Sequence, residues 1–170
     1  FPLERSGSVT IREGSTTIGA WSFIMVADEP PTIALSEPVA RDTGGATRIA
    51  WNARDDYGVS GAKAEIRLDP ARVDRRHGLA PEPMPREPLL LELPLPMTGT
   101  GTEIEDILVE DLSKHPWAGL PIQLTLHAED ARGQQGSTER IATVLPGRRF
   151  FDPLAAALIE QRRDLLWTPE

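Results

Sequence analysis

One nine-residue phrase occurs twice in this chain and restricts its fold more than any other feature. Ala53 to Gly61 reads Ala-Arg-Asp-Asp-Tyr-Gly-Val-Ser-Gly, and 75 residues later Ala128 to Gly136 reads Ala-Glu-Asp-Ala-Arg-Gly-Gln-Gln-Gly. Both fit Ala-x-Asp-x-x-Gly-x-x-Gly. An Asp carboxylate can accept a hydrogen bond from an amide two residues on, and glycine takes positive φ without a steric cost, so this is turn chemistry. Each copy follows an alternating run, Ile49 to Ala53 and Ile122 to Ala128, and precedes another strand-like run. Each is therefore expected to be the turn between two paired strands, with Asp55, Gly58, Gly61, Asp130, Gly133 and Gly136 as the turn residues. Two such hairpins suit one β-sandwich.

The flanking patterns support that architecture. Trp51 shares a period-2 face with Ile49 and Ala53, which makes it the expected central core residue. Ala62, Ala64, Ile66 and Leu68 form the inner face of the next run, and Ile122, Leu124, Leu126 and Ala128 that of the later one. Trp51, Ile66, Leu124 and Leu126 are the expected core. Thr138 to Leu145 pairs back across the second turn. Leu89 to Leu95 alternates with residues that include Pro94 and Pro96, which predicts an edge strand or one that ends near Pro94. Glu103 to Leu112 fits helical and strand spacing alike and is taken as a strand. Asp69 to Pro88 is rich in proline and arginine and reads as a long exposed loop.

Residues 1–30 read as a β-hairpin that ends a preceding β unit, with strands Ser8 to Arg12 and Ala20 to Val26 about a turn at Glu13 to Ser15. Trp21, Phe23 and Met25 then share one apolar face, and Pro30-Pro31 breaks the chain. The sandwich spans 31–147. Residues 148–170 are a linker and the start of a helical region: Asp152-Pro153 is a helix start signal, and Leu154, Ala157, Leu158, Gln161 and Leu165 recur at helical spacing from Pro153 to about Leu166. The chain starts at Phe1 with no initiator Met, and the expectation is a piece of a longer protein.

Composition narrows the function classes. The 170 residues include 26 acidic and 18 basic ones, a formal net charge of −8. That balance disfavours an electrostatic hold on nucleic acid or anionic lipid. There is no cysteine, so disulfides and thiolate metal sites are excluded. No apolar run approaches the roughly 20 residues of a membrane helix.

Few residues suggest chemistry. Asp55, Asp56 and Asp130, joined by Glu129 and Asp28 if they cluster at one end of the sandwich, are the candidates for a calcium site, and no dense oxygen-ligand motif accompanies them. Turn chemistry explains them as well. A hydrolase needs two carboxylates facing each other about 5 to 10 Å apart, whereas Asp55 and Asp56 are adjacent. His77, His115 and His127 stand singly, and His127 falls on the outward, solvated register. Trp21, Trp51, Trp117 and Trp167 are candidates for a carbohydrate or peptide platform. Trp51 lies on the core register, Trp117 plugs a tight connection, and Trp167 ends the helix, where it would pack on a further segment. The expectation is a non-catalytic protein with no cofactor.

The stretches Trp51 to Val59, Leu126 to Gln134 and above all Phe151-Asp152-Pro153-Leu154-Ala155-Ala156-Ala157-Leu158-Ile159-Glu160-Gln161-Arg162-Arg163-Asp164-Leu165 resemble a family of large, chiefly alphaproteobacterial inner-membrane proteins of unknown function. The likeness runs from about Trp21 to Glu170. It implies membrane helices in the parent followed by a long extracytoplasmic region of immunoglobulin-like units and then helical sequence. Taken together, the expectation is a mainly β protein. Its core is an antiparallel immunoglobulin-like or fibronectin-like sandwich with an N-terminal β-hairpin and a C-terminal α-helix. It would be a structural or protein-interaction module at the periplasmic face of the inner membrane. Its partners would be other domains of the parent or envelope proteins. Two rivals are a calcium-stabilised inter-domain or adhesion module and a cell-envelope polymer hydrolase.

Overall fold

The structure, a computed structural model, describes residues 5–73, 86–97, 101–148 and 151–167. Expectations for His77, for most of the Pro/Arg-rich loop and for the side chain of Trp167 fall outside what is described. The described residues form two facing antiparallel sheets, a separate two-stranded sheet before them and one helix after them.

The first sheet is built on β5 (Thr47–Arg54). The strand β8 (Glu103–Glu110) pairs along its whole length, so β3 (Thr32–Leu35) and the short β4 (Ala40–Arg41) share its other edge. The second sheet is built on β6 (Val59–Leu68) and β9 (Pro121–Asp130), which pair along most of their length. Beyond β6 lies β7 (Leu89–Glu92), and beyond β9 lie β10 (Gln135–Ser137) and β11 (Ile141–Val144). A 3-10 turn, Pro70–Arg72, follows β6.

Period-2 alternation explains why these runs are strands and which faces meet. Ile49, Trp51, Ala53 and Ile104 from one sheet pack in a single buried cluster with Ala62, Ala64, Ile66, Ile122, Leu124, Leu126 and Ala128 from the other. Trp51, Ile66, Leu124 and Leu126 have no accessible surface. Glu103 to Glu110 resolves as a strand because its alternate residues Ile104 and Leu108 reach this cluster. Trp117 is buried in the same cluster, from the connection between β8 and β9.

Pairing differs from expectation at the first repeat. The runs either side of Asp55 do not form a hairpin: β5 pairs with β3, β4 and β8, whereas β6 pairs with β7 and β9. The first turn carries the chain from one sheet to the other. Only the second turn joins paired strands, β9 and β10. Two of the expected turn glycines also move: Gly61 lies in β6 beside a register shift, and Gly136 lies in β10. At Gly136 the reason is proximity. A Cβ there would sit 1.7 Å from the Pro31 carbonyl oxygen, where the edge of one sheet closes on the start of the other.

The N-terminal sheet pairs β1 (Gly7–Glu13) with β2 (Thr16–Phe23) and, among the described residues, with nothing else. The second strand starts earlier than expected and ends at Phe23, so Met25 lies beyond it; its amide donates to Ser6 Oγ at 2.8 Å. Val9, Ile11, Ile18 and Trp21 are exposed. The helix α1 (Pro153–Trp167) is capped by Asp152, whose Oδ1 accepts the Leu154 amide at 2.8 Å. Leu154, Leu158 and Leu165 on it are exposed.

Candidate functional site

The two repeats meet at one end of the sandwich, because the antiparallel pairing of β6 with β9 sets Val59 opposite Asp130. Each Asp folds its own loop. Asp55 Oδ2 accepts the amides of Tyr57 at 3.0 Å and Gly58 at 2.6 Å. Asp130 Oδ1 accepts the amides of Arg132 at 2.8 Å and Gln134 at 2.7 Å. Gly58 and Gly133 adopt φ of 115° and 82°, which is why glycine stands at that place in both copies.

Bonds between the loops join them. Ser60 Oγ donates to the carbonyls of Asp130, at 2.6 Å, and Glu129, at 3.1 Å. On the other side, Gly101 and Thr102 accept the amides of Val59 and Asp55, both at 3.0 Å. Arg132 also reaches back to the segment after the hairpin, with Nη1 3.3 Å from Asp28 Oδ2. Met25, Val26, Ala27, Asp28, Tyr57, Asp130, Ala131 and Arg132 line an open cavity of about 450 Å³.

The electrostatics of this end are unusual in one respect. Asp55 and Asp130 are buried, and each has one carboxylate oxygen, Oδ1 of Asp55 and Oδ2 of Asp130, with no hydrogen-bond partner among the described residues. Asp28 Oδ1 is likewise buried and has no partner among the described residues. An unmade bond at a buried polar group costs on the order of 1–3 kcal/mol, and more when the group is charged. Asp56 and Glu129 are exposed, and Asp56 does not line the cavity. Among the described residues, no three His, Cys, Asp or Glu side chains come together to hold a metal ion.

The other sequence candidates lie elsewhere. His115 Nδ1 accepts the Trp117 amide at 3.2 Å, and its ring meets Trp117 edge-on with centroids 5.0 Å apart. Burial, and secondly the Arg86 guanidinium, hold the His115 pKa below the ordinary value. His127 is half-buried rather than solvated, with Nε2 3.7 Å from Glu65 Oε2. Trp51 and Trp117 are core, and Trp21 is exposed on the hairpin, so these three form no common platform. Sequence reasoning assigned no role to Ser60, Tyr57 or Arg132. Ser60 and Arg132 carry no motif signal beyond their place in the repeat, and Tyr57 is the one tyrosine in the chain.

The fold defines the class of protein: a mainly antiparallel β-sandwich module followed by a helix, with buried Asp55 and Asp130 at one end and buried Asp69 at the other end of β6. The chain belongs to the DUF4175 family, a domain of unknown function whose family model matches residues 1–170. No curated protein matches it.

Proposed function

We propose that this chain is a non-catalytic structural or protein-interaction module. The observation that carries this reading is the use made of Asp55 and Asp130. Each carboxylate that a hydrolytic site would need bridges two amides of its own loop, and the loops brace each other through Ser60. Family membership supplies no catalytic residue to weigh against it.

The finer type is an immunoglobulin-like or fibronectin-like sandwich. The order of pairing supports this, because the chain crosses between sheets at Asp55 and again between β7 and β8, as Greek-key sandwiches do. The unit is assigned to residues 31–147. The periplasmic face of the inner membrane is the proposed setting, on the resemblance drawn from the sequence. Among the described residues, no helix is long and apolar enough to cross a membrane. The exposed apolar residues of β1, β2 and α1 give such a module surfaces for neighbouring parts of a parent chain or for envelope proteins.

Two experiments test this reading. Alanine at Asp55 or Asp130 is expected to lower stability; loss of a hydrolytic activity on envelope polymers with unchanged stability would overturn the non-catalytic assignment. For location, residues 1–170 contain no cysteine, so Glu139→Cys gives one label in this chain once any cysteine elsewhere in the membrane-anchored parent is replaced. Labelling by a reagent that does not cross the inner membrane is the expected result, and protection in intact spheroplasts contradicts it.

A calcium-stabilised module is the second reading, favoured by the unpartnered oxygens of Asp28, Asp55 and Asp130. It requires the thermal midpoint to rise with calcium and fall with EDTA.

A further inference from the structure

We propose that β11 is a docking edge for an extended segment of a protein partner, which adds beside it as a further strand and sets apolar side chains into the cleft between the two sheets. The proposal rests on the interaction-module reading and names the surface and the kind of partner.

The backbone of β11 is used on one side only. Leu145, the residue after the strand, turns both of its backbone groups toward the β9 side: its amide donates to the Leu120 carbonyl at 2.9 Å and its carbonyl accepts the Gly119 amide at 2.7 Å. Bonding direction alternates along an antiparallel strand, and the register sets Thr143 opposite Ile122 and Ile141 opposite Leu124, so these two residues also bond to β9. Ala142 and Val144 therefore point away. Among the described residues no strand pairs with β11 on that side, and each of the two leaves a donor and an acceptor at the edge.

Other edges carry devices against a further strand. The strand β8 has the inward Asp106, and β7 lies between Pro88 and Pro94, which have no amide to donate. The sequence of β11, Ile-Ala-Thr-Val, holds neither a proline nor a charge. Beside it, Leu35 to Val39 face Ile141 to Thr143 across an open cleft of about 450 Å³. That facing wall does not close the edge itself. Ser36 donates its amide to the Ala50 carbonyl at 3.0 Å, Glu37 pairs with Arg48, and Pro38 has no amide, so the wall is committed to β5.

The unmade bonds and the shape of the cleft together define the occupant. A row of outward amides and carbonyls takes an extended backbone, and alternate side chains of the added strand fall on the cleft side, where Leu35, Val39 and Ile141 suit valine or isoleucine. Both ends of the cleft are closed. At one, the Pro31 carbonyl lies against Gly136; at the other, Arg41 Nη1 donates to the Gly147 carbonyl at 3.2 Å. A single chain fits between them and pairs over the four residues of β11. A second copy would have to bring a whole sheet edge into the same gap.

The test uses the 170-residue chain, whose lack of cysteine permits one tether. Glu139→Cys, just before β11, is joined by a disulfide to the peptide Val-Thr-Val-Thr-Val-Gly-Gly-Cys, which then runs antiparallel to the strand, and amide hydrogen exchange is followed by ¹⁵N NMR. In the dilute untethered chain the Ala142 and Val144 amides are expected to exchange faster than those of Ile141 and Thr143, and the tethered peptide slows them by about tenfold or more. The peptide threonines stand opposite Ala142 and Val144, so N-methylation of both threonines abolishes the protection, whereas N-methylation of the cleft-facing valines preserves it. The proposal is overturned if the dilute untethered chain already protects Ala142 and Val144, if the tethered peptide leaves them unprotected, or if the two N-methylated peptides behave alike. Protection that rises with the concentration of the untethered chain also overturns it, since a second copy is then the occupant. The stability of the Asp55 and Asp130 variants is read separately, so a failed tether leaves the module reading standing and a failed stability test does not depend on the peptide.

Discussion

His115 and Trp51 show how single side chains carry this fold. The neutral imidazole of His115 accepts the Trp117 amide through Nδ1, and burial with the Arg86 charge disfavours its protonation. A histidine with a depressed pKa stabilises the fold above its unfolded value, about 6.5. That contribution disappears as the pH falls through the lower folded value. Urea unfolding at pH 7.5 and pH 5 is therefore expected to show a larger acid loss for the parent than for His115→Asn, which retains an acceptor but does not titrate. Equal losses contradict this account. Trp51 has no exposed surface, and its Nε1 is buried without a partner among the described residues. Trp51→Ala is expected to cost about 3–5 kcal/mol. Trp51→Phe costs less, because it also removes the unpartnered donor, and chemical denaturation of both variants checks the order.

Some edges of the sandwich are closed or guarded, and each device has a price in sequence choice. Where β10 meets the segment before β3, Gly136 has no room for a methyl group against the Pro31 carbonyl. Gly136→Ala is expected to destabilise by about 1–3 kcal/mol through forced separation of the two edges, measured as a lower urea midpoint. At the opposite edge β8 pairs only with β5 among the described residues. Asp106 stands on its inner register across from Trp51, yet its Oδ1 turns to accept the Ile107 amide at 2.6 Å. An inward charge on an edge strand opposes pairing with another chain. Asp106→Val is expected to self-associate more than the parent at equal concentration, as sedimentation velocity would record; identical behaviour contradicts the guard role. The strands themselves were legible from alternation, as at Ile122 to Ala128, because burial on one face imposes a period of 2. Their partners were not. The Asx bonds of Asp55 and Asp130 reverse the chain equally well into the same sheet or across to the other, so the local motif carries no information on pairing. Gly136 likewise looked like a turn residue, since the backbone that crowds it is 105 residues away.

At the scale of the whole molecule, the two repeats act together. Their common end joins β6 to β9 through Ser60, ties the two sheets through the Gly101 carbonyl that accepts the Val59 amide, and meets the hairpin linker at Arg132. The acidic residues were visible in the sequence as a set. Their meeting was not, because it depends on the β6 and β9 register. The exposed faces of the hairpin and the helix, by contrast, follow directly from runs such as Val9 to Ile11 and Leu154 to Leu165 that the sandwich leaves uncovered. The central claim is that these carboxylates hold one end of the sandwich together as a unit. A double-mutant cycle with Asp55→Ala and Asp130→Ala, followed by equilibrium urea unfolding, tests it most directly. Each single change is predicted to cost about 1–2 kcal/mol, with a departure from additivity of about 0.5 kcal/mol or more. Variants that unfold at the parent midpoint would contradict it.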